Sequence, residues 1–202
     1  MIISILYLIF SISHDVVSNN GLYQGTIAYG QAMDLNVESF ALDNQNRELL
    51  YTKRNPDATT FFINNNGIVF ALNEKRLHFY ELNGAVHLLK ELEFPNGFGF
   101  SSDNLLFFAS DRNSISVYNN EGEIIYELDP GRLFTSTKAG KTIAVISQNN
   151  LFIYEYGSRK FTRQLSTPYA RKISFSDDGE SIIIDEPSGV EIFDCQTGAK
   201  KQ

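Results

Sequence analysis

The sequence has no tryptophan, a single cysteine (Cys195) and three histidines. One cysteine excludes an intramolecular disulfide and a cysteine-rich zinc site. The histidines, at positions 14, 78 and 87, are too few and too irregularly spaced for a three-ligand metal centre. We therefore expect no metal site and no bound cofactor.

Positive charge is also scarce, because 17 lysines and arginines face 24 acids and the net charge is −7. This balance argues against a broad basic surface that captures nucleic acid or an anionic membrane. Five cations nevertheless fall in an acid-free stretch, residues 157–176, and could form a partner-binding basic rim for an acidic peptide, a phospholipid headgroup or RNA phosphate. The alternative is a solvated mixed surface, since acids follow at 177–186. The five are Arg159, Lys160, Arg163, Arg171 and Lys172.

Sequence motifs for catalysis are missing as well. The nearest match to a phosphate-binding loop is "TSTKAGKT", Thr135 to Thr142, but Thr135 stands where the motif requires glycine, so a hairpin turn is favoured. The acid pairs Asp177-Asp178 and Asp185-Glu186 are adjacent residues that point apart on a turn or strand, unlike the facing carboxylates of a glycosidase. We predict no catalytic residues and a protein that is not an enzyme.

An internal repeat is the strongest positive signal. Four segments share an apolar-x-apolar-aromatic pattern, "LHFY", "ISVY", "LFIY" and "VEIF", which end at Tyr80, Tyr118, Tyr154 and Phe193 and so recur at nearly constant intervals. A weaker copy, "VESF", ends at Phe40, one further interval before Tyr80. A second apolar strand is expected shortly before each clear copy, at 68–71, 105–109, 142–146 and 181–185.

Prolines mark the same period independently. Pro56, Pro95, Pro130 and Pro168 are also almost evenly spaced, and each lies where a fourth strand should end. Four strands in each repeat of roughly 40 residues predict an all-β protein, a β-propeller-like array of about five four-stranded blades. A sandwich or an open repeat sheet is the alternative.

The segment "ISFSDDGESIIIDEPSGVEIFDCQTGAK" resembles a WD-repeat blade, in which apolar-x-Phe-Ser-x-Asp-Gly precedes a strand and a second strand ends in Trp-Asp before a Thr-Gly turn. Phe193-Asp194 occupies the Trp-Asp place, and Tyr80-Glu81, Tyr118-Asn119 and Tyr154-Glu155 do so in earlier copies. The resemblance covers roughly residues 58–200 and implies a divergent WD-repeat-like β-propeller.

The last repeat, residues 168–202, has three predicted strands and no residues for a fourth. We expect the missing strand to come from before residue 58, so that one of the five units combines both termini and closes the ring. The competing interpretation is an incomplete ring that accepts a strand or a blade from a protein partner. A chain that had lost later blades would have the same sequence pattern.

The N-terminus carries an apolar run from Ile2 to Ile12. Residues 1–18 are a candidate signal peptide, with cleavage near Ser13 or Ser18, and residues 19–202 the repeat domain. The alternatives are a buried or ring-closing first strand and a peripheral anchor, which would be the chain's only membrane contact if uncleaved. A signal peptide would place the protein in the secretory pathway; without one we expect it in the cytoplasm.

A propeller leaves its loops and central channel free for partners, and the sequence carries no catalytic motif. The sequence therefore favours a non-catalytic protein–protein interaction scaffold. The alternative is an exported enzyme or ligand-binding β-propeller, whose polar groups would converge at the central channel from several repeats and so escape a motif search.

Overall fold

The computed structural model describes residues 13–29, 37–54, 56, 58–73, 75–101, 103–166 and 169–201. Twenty strands and one 3₁₀ helix, Lys138–Gly140, account for the regular structure of these residues. The strands form five four-stranded antiparallel sheets, and in each the strands follow one another in chain order. The predicted all-β array of about five four-stranded units is confirmed.

The chain divides into two compact units, residues 1–90 and 91–202. The first unit contains two sheets, except that Glu91, the last residue of the second sheet, falls in the second unit. Its first sheet consists of β1 (Ser13–Val17), β2 (Tyr23–Tyr29), β3 (Val37–Asn44) and β4 (Leu49–Arg54). The second consists of β5 (Thr60–Ile63), β6 (Val69–Asn73), β7 (Arg76–Tyr80) and β8 (Val86–Glu91).

The second unit contains three sheets. The third sheet consists of β9 (Gly97–Phe100), β10 (Phe107–Ser110), β11 (Ile115–Tyr118) and β12 (Ile124–Leu128). The fourth consists of β13 (Leu133–Ser136), β14 (Thr142–Ser147), β15 (Asn150–Glu155) and β16 (Ser158–Gln164). The fifth consists of β17 (Lys172–Phe175), β18 (Ser181–Glu186), β19 (Gly189–Asp194) and β20 (Lys200–Lys201).

The fifth sheet corrects one expectation. Lys200 and Lys201 form a short fourth strand that pairs with Phe193 and Ile192, so the strand is not supplied by the N-terminal region. Residues before 58 instead complete a sheet of their own, and no described sheet combines the two termini. The physical reason is the tight turn at residues 194–199, which reverses the chain early enough to leave two residues for pairing.

The repeated aromatic residues lie in the core. Tyr80, Tyr118, Tyr154 and Phe193 are all buried, at the ends of β7, β11, β15 and β19 or one residue before. In the first unit Phe40 stacks on Phe61 with ring centroids 4.4 Å apart, and Tyr80 meets both rings edge-on. Phe40 lies in the third strand as expected, but well before the turn residue Asn44 rather than directly before it.

The turn between the first and second strands repeats one hydrogen-bond pattern. Ser101 donates to Asp103 Oδ1 at 2.5 Å and accepts the backbone N–H of Leu106 at 2.9 Å. Ser176 does the same with Asp178 at 2.6 Å and the N–H of Ser181 at 2.9 Å. This network explains why serine and aspartate recur at these turns.

The segment 135–142 closes its turn in the same way. The backbone N–H of Thr142 donates to Thr137 Oγ1 at 2.9 Å, and the segment joins β13 to β14. The hairpin turn predicted for this phosphate-loop-like sequence is therefore confirmed.

The turn between the third and fourth strands depends on a side-chain acceptor and a glycine. Asn119 Oδ1 accepts the backbone N–H groups of Glu121 at 3.0 Å and Glu123 at 2.8 Å, while Gly122 has φ of 76°. Asp194 Oδ1 likewise accepts from Gln196 and Thr197, before Gly198 with φ of 68°. Glycine is favoured at such positive φ values because it has no Cβ.

Two sequence markers fall partly outside the described residues. Pro56, Pro95 and Pro130 lie in the connections between successive sheets, as expected, whereas Pro168 is not among the described residues. Of the candidate signal segment, residues 1–12 are not described, and residues 13–17 form β1. Among the described residues, no helix has the length and apolar character needed to cross a membrane.

Candidate interaction surface on the fifth sheet

The fourth sheet is covered on both faces by its neighbours in the second unit. Ile143 and Val145 of β14 pack with Phe108 and Val117 of the third sheet. The alternating residues of the fourth sheet pack against the fifth, where they meet Ile182, Ile184 and Phe193. These alternating residues are fully buried: Ala144, Ile146, Leu151 and Ile153.

The fifth sheet uses one face for this contact and leaves the other exposed. The positions of β18 and β19 that correspond to the buried set of the fourth sheet define the exposed side: Ile183, Asp185, Val190 and Ile192. Val190 is 59% exposed and Ile192 37%, although their equivalents Leu151 and Ile153 are completely buried. We call this side, together with Lys172 and Ser174 of β17, the open face.

Strand register arranges the open face in two rows. Lys172, Asp185 and Val190 are direct cross-strand neighbours in one row, and Ser174, Ile183 and Ile192 form the next. Cross-strand neighbours share a face, so three aliphatic side chains are contiguous beside one opposite-charge pair. The surface is apolar at its centre and charged at one end.

The other end of the open face is polar. Lys201 of β20 donates to Ser181 Oγ at 2.7 Å and forms an ion pair with Asp194 at 3.5 Å. Backbone N–H groups of Thr197 and Gln196 hold the Asp194 carboxylate, and together with Lys201 they keep the pKa of Asp194 below its usual value. Asp194 is therefore charged at neutral pH.

The edge of the fifth sheet is only partly paired. β16 pairs with β15 along its length, from Asn150 to Glu155, whereas β20 pairs with β19 at Ile192 and Phe193 alone. Across the described residues no strand pairs with the outer side of β19 from Gly189 to Glu191. The open edge that the sequence predicts is thus present along half of β19.

A buried carboxylate anchors β20 on the covered face. Glu191 Oε1 accepts Lys200 Nζ at 2.5 Å and the hydroxyl of Ser166. Burial pushes the pKa of Glu191 upward, but the bonds from Lys200 and Ser166 prevail and hold it below its usual value. The short strand β20 is therefore fixed by a charge-assisted bond as well as by its two ladder pairs.

The structure places three residues of the predicted basic rim on β16. Arg159 donates to Asp129 and lies over the ring of Phe152, 4.7 Å from its centroid. Arg159, followed by Tyr154, lowers the pKa of Asp129 through hydrogen bonds. Arg159 thereby ties β16 to the connection that precedes β13.

The other two β16 cations reach the turn before β20. Lys160 Nζ donates to Gln196 Oε1 at 3.0 Å and pairs with Glu155 at 3.2 Å. Arg163 donates to the carbonyls of Gly198 at 2.8 Å and Thr197 at 2.7 Å. These side chains hold the fourth and fifth sheets together at this point.

The remaining rim residues, Arg171 and Lys172, are exposed at the start of β17. The structure thus separates the five cations into a structural group on β16 and two exposed cations, of which Lys172 belongs to the open face. No sequence motif singles out Val190 or Ile192 as surface residues. They occupy the positions of Leu151 and Ile153, so the apolar pattern of the fourth sheet is repeated in the fifth.

A cavity of about 740 Å³ lies beside these elements, between the turn of the fourth sheet and that of the fifth. Its walls include residues 135–138, residues 174–180 and Cys195. Ser136 is buried there, and its hydroxyl has no hydrogen-bond partner within the described parts of the chain. Burial raises the pKa of the Cys195 thiol, which keeps it protonated and weakly nucleophilic.

The described residues contain no group of three or more histidine, cysteine, aspartate or glutamate side chains arranged to hold a metal ion. The pKa of Asp178 is lowered mainly by the hydrogen bond from Ser176, which belongs to the turn. The cavity therefore offers hydroxyl groups and the exposed charges of Lys138, Lys141, Asp177 and Glu180 for binding polar molecules.

Known structures share this arrangement of sheets. A eukaryotic initiation factor matches with a TM-score of 0.73 and 13% identity over 95% of this chain and 54% of its own. Hsv2 of Kluyveromyces lactis matches with a TM-score of 0.62 and 11% identity over 93% of this chain and 61% of its own. Hydrazine synthase of Kuenenia stuttgartiensis matches with a TM-score of 0.55 and 16% identity, over 73% and 48%.

These neighbours are β-propeller proteins, and at such low identity the likeness shows the fold alone. This chain has a β-propeller fold and spans about half to two thirds of the length of the structures it matches. No protein-family model matches the sequence, and neither does any curated protein.

Proposed function

We propose that the chain is a non-catalytic protein–protein interaction scaffold built on WD-repeat-like blades. The open face is the observation that carries this proposal, since Val190 is 59% exposed while its equivalent Leu151 is fully buried. Contiguous exposed apolar side chains mark protein-binding surfaces when polar residues surround them. The partner is a protein that covers Ile183, Val190 and Ile192.

The turn at Asp194 supports the WD-repeat-like character of the blades. Phe193 is buried where the repeat has tryptophan, and Asp194 accepts the N–H groups of Gln196 and Thr197 in the following Thr-Gly turn. Asn119 has the same role after Tyr118. The chain therefore keeps the turn chemistry of the repeat with Phe or Tyr in place of tryptophan.

The bonding of the residues with lowered pKa values supports a non-catalytic role. Asp129, Asp194 and Glu191 each have a lowered pKa, and each is held by bonds between strands or within a turn. Among the described residues, these three lowered pKa values are explained by structural bonds and do not single out a general acid and base pair.

The partner can also supply a strand. Residues 189–191 of β19 present backbone groups on their outer side, and an extended peptide adding there would continue the ladder begun by β20. The exposed cations Arg171 and Lys172 form the remaining basic rim at β17, on the opposite side of the sheet, and favour an acidic segment in a partner that covers the open face.

The secretory pathway is the compartment we propose, through a signal peptide at positions 1–18. Because residues 13–17 form β1, cleavage near Ser13 preserves the first sheet, whereas cleavage near Ser18 removes one of its strands. N-terminal sequencing of the mature protein distinguishes these sites. An intact Met1 would instead favour the cytoplasm or an uncleaved membrane contact.

The scaffold is tested by purifying the tagged full chain from its source with quantitative identification of bound proteins. Val190→Lys should lose the specific partner, while Ile124→Lys should keep it. Ile124 is a matched control because it is 49% exposed on β12 of another sheet. Equal recovery of the partner with both variants would contradict a scaffold that uses the open face.

A ligand-binding or enzymatic propeller is the second candidate, and the cavity of about 740 Å³ favours it. Its volume falls within the range of small-molecule sites. A thermal-shift screen of polar metabolites tests it: a ligand that stabilises the wild type but not Ser136→Val would support binding at this cavity. No shift with any compound would favour the scaffold.

A further inference from the structure

We propose that the open face of the fifth sheet is the contact surface of a symmetric dimer, occupied by the same face of a second copy of this chain. This inference rests on the proposed function, because it identifies the protein that covers Ile183, Val190 and Ile192. The equivalent face of the fourth sheet is buried against a β-sheet, so a second β-sheet is the kind of surface that this face fits.

The charge distribution makes the open face complementary to itself. Lys172 and Lys201 balance Asp185 and Asp194, so the surface is neutral in a chain whose net charge is −7. Ile183 and Ile192 lie between the row of Lys172, Asp185 and Val190 at one end and the Lys201–Asp194 pair at the other. A two-fold axis can therefore bring apolar against apolar and each charge near an opposite one.

A head-to-tail contact with the first sheet of another copy is a poorer match to this face. In the fourth and fifth sheets, Ile143, Val145, Ile182 and Ile184 of the second strand pack against the preceding sheet. The equivalent positions of β2 carry Gln24 and Thr26, and Thr26 donates to Asp15 at 3.1 Å. On this face the exposed Val17 and Leu49 are separated by Gln24 and Asp43, whereas the aliphatic side chains of the open face are adjacent to one another, so two fifth sheets are the better match.

The size of the face sets the strength of the dimer. Three full strands with about five residues each give a patch of about 14 Å by about 17 Å from ordinary strand dimensions. This is smaller than the roughly 800 Å² per partner of stable complexes. We expect a weak, reversible dimer, which closes at two copies and does not propagate into fibres.

Sedimentation velocity of the purified full chain tests the proposal. The weight-average mass should rise from 22.8 kDa towards twice that value between about 1 and about 500 μM, because association follows mass action. Val190→Lys should weaken the dimer at least about tenfold, since it places a charge within the aliphatic part of the interface. Ile124→Lys, a lysine on another sheet, should leave the dissociation constant unchanged.

Exchanging the charges of Lys172 and Asp185 provides a second measurement, which can be interpreted even if a variant changes the stability of the fold. Lys172→Asp makes the open face net negative and Asp185→Lys makes it net positive, so each single variant should weaken the dimer. The double variant restores neutrality and should recover association. The melting temperature of each variant, measured alongside, identifies any loss that comes from folding.

The results separate this inference from the function on which it rests. A mass that stays at 22.8 kDa throughout, or that is unaffected by Val190→Lys, would overturn the dimer. If Val190→Lys then still abolished capture of a different protein, the scaffold would stand with another occupant on the open face. The proposal is supported if Val190→Lys abolishes the dimer. It is also supported if each single charge variant weakens the dimer and the double charge variant restores it.

Discussion

One face of the first sheet and one face of the fifth sheet differ in the side chains that they expose. β2 of the first sheet carries Gln24 and Thr26 where the fourth sheet has Ile143 and Val145, and Thr26 is bonded to Asp15. The fifth sheet keeps Val190 and Ile192 exposed. That face of the first sheet is mixed, because the exposed Val17 lies opposite Gln24. Of the two faces, that of the fifth sheet has its exposed aliphatic side chains side by side.

The largest expected effect comes from comparing the truncation of a buried side chain with the truncation of a side chain on the open face. Phe40→Ala should lower the free energy of unfolding by about 3–5 kcal/mol, because Phe40 is fully buried and stacked on Phe61. Ile192→Ala should cost less than about 1 kcal/mol in dilute solution, since Ile192 lies on the open face. Denaturant titration measures both, and equal losses would show that the face is covered within the chain.

The anchor of β20 gives the next largest effect. Lys200→Ala leaves the buried carboxylate of Glu191 without its cation and should cost about 1.5–3 kcal/mol, the range for hydrogen bonds to charged groups. Urea denaturation measures the loss. Lys53→Ala, on the outer strand of the first sheet, is the control and should change little; a similar loss there would argue against a special role for Lys200.

The same carboxylate predicts a pH dependence. The pKa of Glu191 is lower in the folded chain than in the unfolded one, so its stabilisation is fully present above the unfolded value of about 4.3. It is lost as the pH falls through the folded pKa. Melting temperatures of wild type and Glu191→Gln should therefore converge below about pH 4. A constant difference between pH 7 and pH 3 would contradict this assignment.

The cations of β16 should give a smaller change. Arg163→Ala removes two hydrogen bonds to the carbonyls of Gly198 and Thr197, at a cost of about 1 kcal/mol because the site is partly exposed. Thermal unfolding detects the loss, and Arg171→Ala serves as the exposed control. A larger loss with Arg171→Ala would mean that the basic rim, and not the contact between sheets, stabilises the fold.

The smallest change should come from making the first sheet resemble the last. Thr26→Ile should alter stability by less than about 0.5 kcal/mol, since the position is half-buried at the surface of β2. It should instead promote association, because it adds an aliphatic side chain to a polar face. Light scattering measures this, and an unchanged monomer signal would weaken the explanation based on face polarity.

The sequence predicted the strands because their pattern is local. The second strands expected at 68–71, 105–109, 142–146 and 181–185 match β6, β10, β14 and β18 closely at both ends. The turns were also predictable, since asparagine, aspartate and glycine occupy them for reasons that depend on neighbouring backbone groups. Ser176 and Asp178 show this within a single turn of the chain.

The sequence was less informative about contacts between sheets. Arg159 binds Asp129 and Arg163 binds Gly198, and both partners are distant in the chain. The sequence alone therefore did not distinguish these bonded cations from the exposed ones. The sequence pattern also suggested that too few residues remain for a fourth strand, whereas Lys200 and Lys201 are enough to form β20. Which face remains uncovered depends on whether another sheet follows, and local pattern carries no such information.

The short strand β20 should be the first part of the fifth sheet to unfold locally under native conditions. Two ladder pairs, the Lys200–Glu191 bond and the contacts of Lys201 with Ser181 and Asp194 hold it, which is far fewer bonds than hold β18 or β19. Hydrogen exchange at Lys200 and Lys201 should then be fast while the amides of β18 remain protected. Each such opening would lay bare the whole length of β19 and briefly give an arriving polypeptide a full strand to join.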